Sequence, residues 1–195
     1  VNNEWDEYAP EWDKDPSVQE YALKVLSELN TKNLLEEELT ILDFGCGTGN
    51  LTQLLSPNAK QIVALDGSHE MIKLLEEKDL DNVSTISDFL CDELINNHPY
   101  LNQKFDLIIA SSVCSFLPDY EATLGQLKSL LTSGGFFIQF DWLAQDESAS
   151  MGLTKQRILQ CLETHEFKQI TIELPFVMTS SKGSMDVIMA CGTNI

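Results

Sequence analysis

The sequence predicts an α/β fold, a doubly wound and mostly parallel sheet with helices on both faces. Short apolar runs bounded by turn residues alternate with stretches of helical spacing, which is the order of βαβ units. One run, residues 41–44, passes directly into Gly45-Cys46-Gly47-Thr48-Gly49 and then into a helix start. Another, residues 61–65, is apolar on both sides, as a buried parallel strand should be.

The elements follow in order. Residues 1–14 are acidic and aromatic, with Trp5, Tyr8 and Trp12 spaced between carboxylates and no helical or strand period. Two readings stay open there, a packing flap and a lid whose rings and carboxylates suit a cation and an apolar substrate. Asp15-Pro16 reads as an N-cap followed by proline at the first helical position. Val18, Tyr21, Ala22, Val25, Leu26 and Leu29 then recur at helical spacing and give one face for docking on a sheet. Glu36, Glu37 and Glu38 read as a solvated charge run before the first strand. After the glycine turn, Leu51, Leu54 and Leu55 make a short helix stopped by Pro57. The second strand ends in Asp66, Ser68 is placed to cap the next helix, and that helix runs to about Lys78 with His69 solvated in its first turn.

A short third strand, residues 83–86, leads to Asp88 and Phe89. Residues 97–100 read as a turn that leaves His98 at the surface, and residues 105–110 as the fourth strand. Asp119 opens a helix with Leu124, Leu127, Leu130 and Leu131 inward, ended by Ser133-Gly134-Gly135 in the manner of a glycine C-cap. Residues 136–140 form the fifth strand, from which Asp141 and Trp142 emerge. Residues 143–153 read as an irregular, mobile polar rim, and Thr154 caps a helix bearing Ile158, Leu159 and Leu162. Residues 169–174 and 185–191 read as two final strands joined by a loop around Lys182 and Gly183.

Composition narrows the function. At 195 residues and 43% hydrophobic, the chain fits one α/β domain, residues 1–195. Its 31 acidic and 12 basic residues give a net charge of −19, and the first twenty residues hold seven acids against one lysine. Nucleic-acid binding rests on neutralising phosphates, so direct nucleic-acid binding is not expected, and a small molecule or a basic protein fits better. The five cysteines, Cys46, Cys91, Cys114, Cys161 and Cys191, form no C-x-x-C pair, which reads as a reduced cytoplasmic chain without a metal site. No apolar run approaches the roughly 18 to 20 residues of a membrane span, and the charged start does not read as a signal peptide.

The glycine turn holds the strongest chemical signal. Glycines on alternate positions permit positive φ and let a ligand approach without a Cβ in the way. The dinucleotide fingerprint requires a sixth-place glycine, where Asn50 stands, and no Gly-Lys-Ser/Thr follows for a phosphate loop. Asp43 immediately before the glycines would repel a pyrophosphate and suits a ligand with a cationic group. The run from Asp43 to Gly49 resembles the first motif of the class I (Rossmann-like) S-adenosylmethionine-dependent methyltransferases, whose cofactor carries a sulfonium and an ammonium. Asp66, seventeen positions after Gly49, is near the roughly 20 at which such folds bring a carboxylate to a ribose. Each charged hydrogen bond made there is worth about 1.5 to 3 kcal/mol before desolvation.

The resemblance implies a seven-stranded sheet with an antiparallel last strand. It implies an N-terminal lid and helix over residues 1–30, a cofactor-binding core over 41–142 and a C-terminal helix and strand pair over 143–195. S-adenosyl-L-methionine is the implied cofactor and S-adenosyl-L-homocysteine the product, held by Asp43, Gly45, Cys46, Gly47, Gly49, Asp66, Gly67, Met71, Asp88, Phe89, Ala110 and Ser111. In the family pattern a residue near Met71 packs on the adenine, while Asp88 and the Phe89 backbone meet its edge. Tyr8, Trp12, Ser115, Phe116, Asp141 and Trp142 are the substrate-side candidates. A base is needed only for an acceptor protonated at working pH, and none is assigned; Tyr8, Asp141, Tyr120 and His165 are the candidates. Cys114 reads as a buried, inert thiol. A small-molecule methyltransferase is the expectation. The alternatives are a nicotinamide-dependent oxidoreductase and a non-catalytic domain that binds S-adenosylmethionine and acts through a protein partner.

Overall fold

The computed structural model describes residues 4–35, 38–149, 151–180 and 183–195. Glu36 and Glu37 of the expected charge run, Ser150 of the expected rim and Lys182 of the expected final loop lie outside the described residues. The chain divides into two compact units, one ending at Phe89 and the other beginning at Leu90.

The first unit contains α1 (Glu4–Trp12), α2 (Pro16–Thr31), β1 (Leu39–Phe44), α3 (Asn50–Leu55), β2 (Ala59–Asp66), α4 (His69–Glu76) and β3 (Val83–Ser87). β2 pairs in parallel with both β1 and β3, and Ile62, Val63 and Ala64 at its centre are fully buried. A strand in this position has helices over both faces, which is why its sequence is apolar without alternation. Asp15 caps α2 by accepting from the Ser17 amide at 2.9 Å, and Tyr21, Ala22, Val25 and Leu29 supply the buried face. Ser68 caps α4 through the Met71 amide at 3.2 Å, with Met71, Ile72 and Leu75 inward.

The second unit contains α5 (Asp92–Asn97), β4 (Phe105–Ser111), α6 (Tyr120–Ser129), β5 (Leu131–Trp142), α7 (Lys155–Thr164), β6 (Lys168–Ser180) and β7 (Gly183–Thr193). β4 and β5 are parallel, whereas β7 runs antiparallel to both β5 and β6. The seven strands and the antiparallel last strand are therefore as expected. Asp119 and Thr154 cap α6 and α7 through the amides of Ala122 and Arg157.

Several elements differ from the sequence reading. Residues 4–12 are helical; their buried stripe holds one apolar residue, Ala9, so no hydrophobic period marks them. α5 also escaped notice, being six residues long with none buried. Gly134 and Gly135 do not cap α6, which ends at Ser129. They sit inside β5, where Gly134 has φ +84° and donates to the Asn194 carbonyl at 2.6 Å. β6 and β7 are longer than residues 169–174 and 185–191; β6 passes through Pro175 with a register shift between Glu173 and Phe176, which an edge strand tolerates. Residues 143–153 are tied at their ends, since the Ala144 amide donates to the Leu153 carbonyl at 3.0 Å and both residues are buried.

Gly49 sets a close approach: its φ is +79°, and a Cβ there would lie 2.2 Å from Leu75 Cδ1. Gly49→Ala combines left-handed strain of about 1 to 2 kcal/mol with overpacking of similar size. Urea unfolding of the variant is expected to show a loss of about 2 to 4 kcal/mol; a loss below about 1 kcal/mol contradicts this packing.

Candidate functional site

The glycine loop follows from the parallel register of β1 on β2, which sets Phe44 beside Leu65 and brings residues 45–49 to the tip of β2. Gly45, Gly47 and Gly49 have φ of +71°, +55° and +79°. Their amides are mostly spent within the unit. Gly45 and Cys46 donate to the Leu65 carbonyl at 2.8 and 3.1 Å, and Gly49 to the Cys46 carbonyl at 3.0 Å. Gly47 donates to Asp66 Oδ2 at 2.8 Å. A phosphate would find these donors occupied, which agrees with the failed nucleotide fingerprints.

Two carboxylates flank the loop. Asp43, 1% exposed, accepts from Thr52 Oγ1 at 2.6 Å, and burial pushes its carboxyl up to about 6, with Asp66 adding repulsion. Asp66 also accepts from the Ser68 amide through Oδ1 at 2.8 Å; burial raises its carboxyl while the amides of Ser68 and Gly47 pull it down. Asp66 therefore lies at the loop and helps to shape it. Cys46 in the same turn has its thiol pushed well up by burial and by Asp43 and Asp66.

The other expected cofactor residues of this unit divide. Gly67 lies under the Phe89 ring, where a Cβ would come within 2.4 Å of a ring carbon, and Phe89 is 65% exposed. Asp88 is exposed; its amide donates to the Asp66 carbonyl at 3.0 Å and its Oδ1 accepts from the Phe89 amide at 2.8 Å. Met71 is only 2% exposed and belongs to the inner face of α4.

Sequence reasoning missed what fastens α1. Asp6 Oδ1 accepts from Ser68 Oγ at 2.6 Å and from the Glu70 amide at 3.3 Å. Asp13 Oδ1 accepts from Thr48 Oγ1 at 2.5 Å and Asn50 Nδ2 at 2.8 Å, while its Oδ2 pairs with Lys78 Nζ at 3.5 Å. Trp12 lies against the loop, with Nε1 3.8 Å from where a Cβ on Gly47 would be. Tyr8 is 56% exposed. Asn50, the residue that breaks the dinucleotide fingerprint, was the available clue.

In the second unit, Ala110 is fully buried and Ser111 ends β4 half-buried. Ser112 takes φ +58°, unusual for serine, and accepts from Trp142 Nε1 at 3.1 Å. Asp141 does not emerge from the strand end: it is fully buried and accepts from the amides of Ser115 at 2.9 Å and Trp142 at 2.8 Å. It holds the turn at residues 114–116, and Phe116 is left 43% exposed. Tyr120 is buried and donates to Gln139 Oε1 at 2.5 Å, and burial drives its hydroxyl far above the phenol range. His165 closes α7, its Nε2 2.8 Å from the Glu121 carbonyl. Neither is placed as a free base. Cys114 is 1% exposed, with its thiol pushed well up by burial and Asp141. Among the described residues no group of three His, Cys, Asp or Glu side chains could hold a metal, and no helix is long and apolar enough to cross a membrane.

Residues 17–172 match the family described as a methyltransferase domain. The malonyl-[acyl-carrier protein] O-methyltransferase of Priestia megaterium is 31% identical over 140 residues, covering 69% of this chain and 48% of that protein. This chain spans between 34% and 48% of the length of three such curated relatives. Among solved structures, the DhpI-SAH complex has a TM-score of 0.72 at 20% identity over 97% of this chain and 93% of that one. A chain from the complex of the Haloferax volcanii Trm112 methyltransferase activator with a putative methyltransferase has a TM-score of 0.76 at 16% identity, covering 100% and 99%. At such identities the likeness is one of fold.

Asp43 gives a pH signature. Its folded-state carboxyl is raised from 3.8 to about 6, so the folded chain holds that proton more tightly than the unfolded chain. Its contribution is neutral below the unfolded value, becomes destabilising as pH rises through this window and levels off above it at about 3 kcal/mol at most. Asp43→Asn keeps an acceptor for Thr52 and removes the charge. Denaturant unfolding at pH 5 and 7.5 is expected to show the variant gaining on wild type as pH rises; a constant difference contradicts the assignment.

Proposed function

We propose, from the premise that this chain belongs to the class I S-adenosylmethionine-dependent methyltransferase family, that it transfers a methyl group from S-adenosylmethionine to a small-molecule acceptor. The observation that carries this reading is the glycine loop tied to Asp66: a turn open to close approach, its amides spent, with carboxylates at its base. That donor set fits a cationic, phosphate-free nucleoside better than a dinucleotide. The family match runs through both compact units, which supports reading the chain as one methyltransferase domain.

When bound, the cofactor supplies an activated sulfonium methyl. The chain's own part is to bind and to orient. Asp66 would accept from the ribose hydroxyls with the lone pairs left by its two amide partners, and Asp43 would offset the positive charge. Gly45, Cys46, Gly47 and Gly49 would line the approach, and Gly67, Asp88 and Phe89 would meet the base. Alignment of acceptor and methyl can contribute about 7 to 11 kcal/mol, so no general base is required by the chemistry itself. A net charge of −19 counts against a nucleic-acid acceptor.

Titration calorimetry with S-adenosylmethionine and S-adenosylhomocysteine tests the reading. Asp66→Ala is expected to weaken both by about tenfold to a hundredfold, the equivalent of about 1.5 to 3 kcal/mol. Asp88→Ala should have a smaller effect. Unchanged affinity in Asp66→Ala would remove the ribose assignment, and tight NAD binding by wild type would remove the methyltransferase reading.

A further inference from the structure

Helix α1 and Asp13, the residue that follows it, carry three stripes at i, i+3 and i+7 spacing. Asp6, Ala9 and Asp13 form the fastened one: the two carboxylates reach Ser68, Glu70, Thr48 and Asn50, and Ala9 is buried. Beside it stand Trp5, Tyr8 and Trp12. The Trp5 ring centroid lies 5.8 Å from Tyr8, tilted by 52°, and 6.1 Å from Trp12, edge-on at 88°. This aromatic row begins at the glycine loop, where Trp12 abuts Gly47, and ends in Tyr8, more than half exposed. Glu4, Glu7 and Glu11 form the third stripe, all exposed.

Resting on the methyltransferase reading, we infer that the Trp5–Tyr8 face of α1 receives an amine acceptor as a cation and that the methyl goes to nitrogen. Aromatic faces attract ammonium groups, and flanking carboxylates add to that attraction. Among the described residues, the lysines around α1 each face a carboxylate already: Lys14 pairs with Glu11, Lys73 with Glu70, and Lys78 with Asp13 while also donating to Asn50. In the transfer, the bound ammonium first gives one proton to water, the lone pair of the resulting amine forms the C–N bond as the C–S bond breaks, and the departing electron pair stays on sulfur. Positive charge thus passes from sulfur to nitrogen, and the methylated ammonium then gives its proton to water. A surface of rings and carboxylates favours that displaced charge, whereas transfer to a carboxylate oxygen would annihilate charge and call for a basic side chain.

Two measurements on the full chain test this. Tryptophan fluorescence titrated with benzyltrimethylammonium should saturate and weaken with salt, whereas benzoate should give no saturation; Tyr8→Leu should weaken the ammonium response at least fivefold and Tyr8→Phe should retain most of it. Labelled methyl transfer is then measured across matched amines, carboxylic acids, phenols and thiols. Amines should be methylated, and Tyr8→Leu should raise the amine KM about tenfold with S-adenosylmethionine affinity unchanged. Equal response to benzoate, transfer to oxygen or sulfur acceptors alone, or no amine methylated by a chain that binds the cofactor overturns the inference. Failure to bind the cofactor at all would instead overturn the methyltransferase reading.

Discussion

The first unit depends on one carboxylate. Asp66 stands at the last position of β2 and accepts from the Gly47 amide on one oxygen and the Ser68 amide on the other. Charge-assisted bonds of this kind are among the stronger ones in proteins, and here they join three pieces of chain that meet only because β1 and β2 are parallel. The glycine loop, the tip of β2 and the start of α4 become a single rigid corner. Removing the carboxylate would leave two partly buried amides without an acceptor, so the shape of the loop hangs on this residue.

The same corner accepts α1, through polar rather than apolar contacts. Asp6 bonds to Ser68, which already caps α4, and Asp13 bonds to Thr48 and Asn50 within the glycine turn. A helix held this way buries little hydrophobic area, since Ala9 is its buried apolar residue. Of its rings, those of Trp5 and Trp12 are half-buried and that of Tyr8 is exposed, so none belongs to the buried core. A helix docked by hydrogen bonds to the very turn that would hold a ligand also couples its position to that turn.

What was legible in the sequence was whatever the local chain decides. The β2 run, the glycine turn with its positive φ, and the caps at Asp15, Ser68, Asp119 and Thr154 depend on residues within a few positions of one another. What stayed hidden depends on partners far along the chain. Asp13 and Asn50 are separated by 37 positions, and no local pattern announces their bond. Gly134 read as a helix cap because glycine after a helix usually is one; instead its amide meets the Asn194 carbonyl, sixty positions on, and the glycine pair serves the strand. Asp141 read as a strand-end carboxylate open to substrate, but the amides of Ser115 and Trp142 draw it inward.

Asp43 and Asp141 show why residue type at a strand end does not fix a role. Both are buried carboxylates close to the end of a strand. Asp141 accepts from two backbone amides of the turn it holds, and those bonds oppose the rise that burial imposes on its carboxyl. Its charge is answered by its own surroundings, so it positions. Asp43 accepts from one hydroxyl, Thr52, and feels Asp66 as a like charge. Negative charge gathers at that corner, and Lys78, a cation beside the loop, is already taken by Asp13. Two outcomes relieve such an imbalance: uptake of a proton, which the raised carboxyl expresses, or arrival of a ligand that is itself positive. The proposed cofactor, with its sulfonium and ammonium, would supply the second.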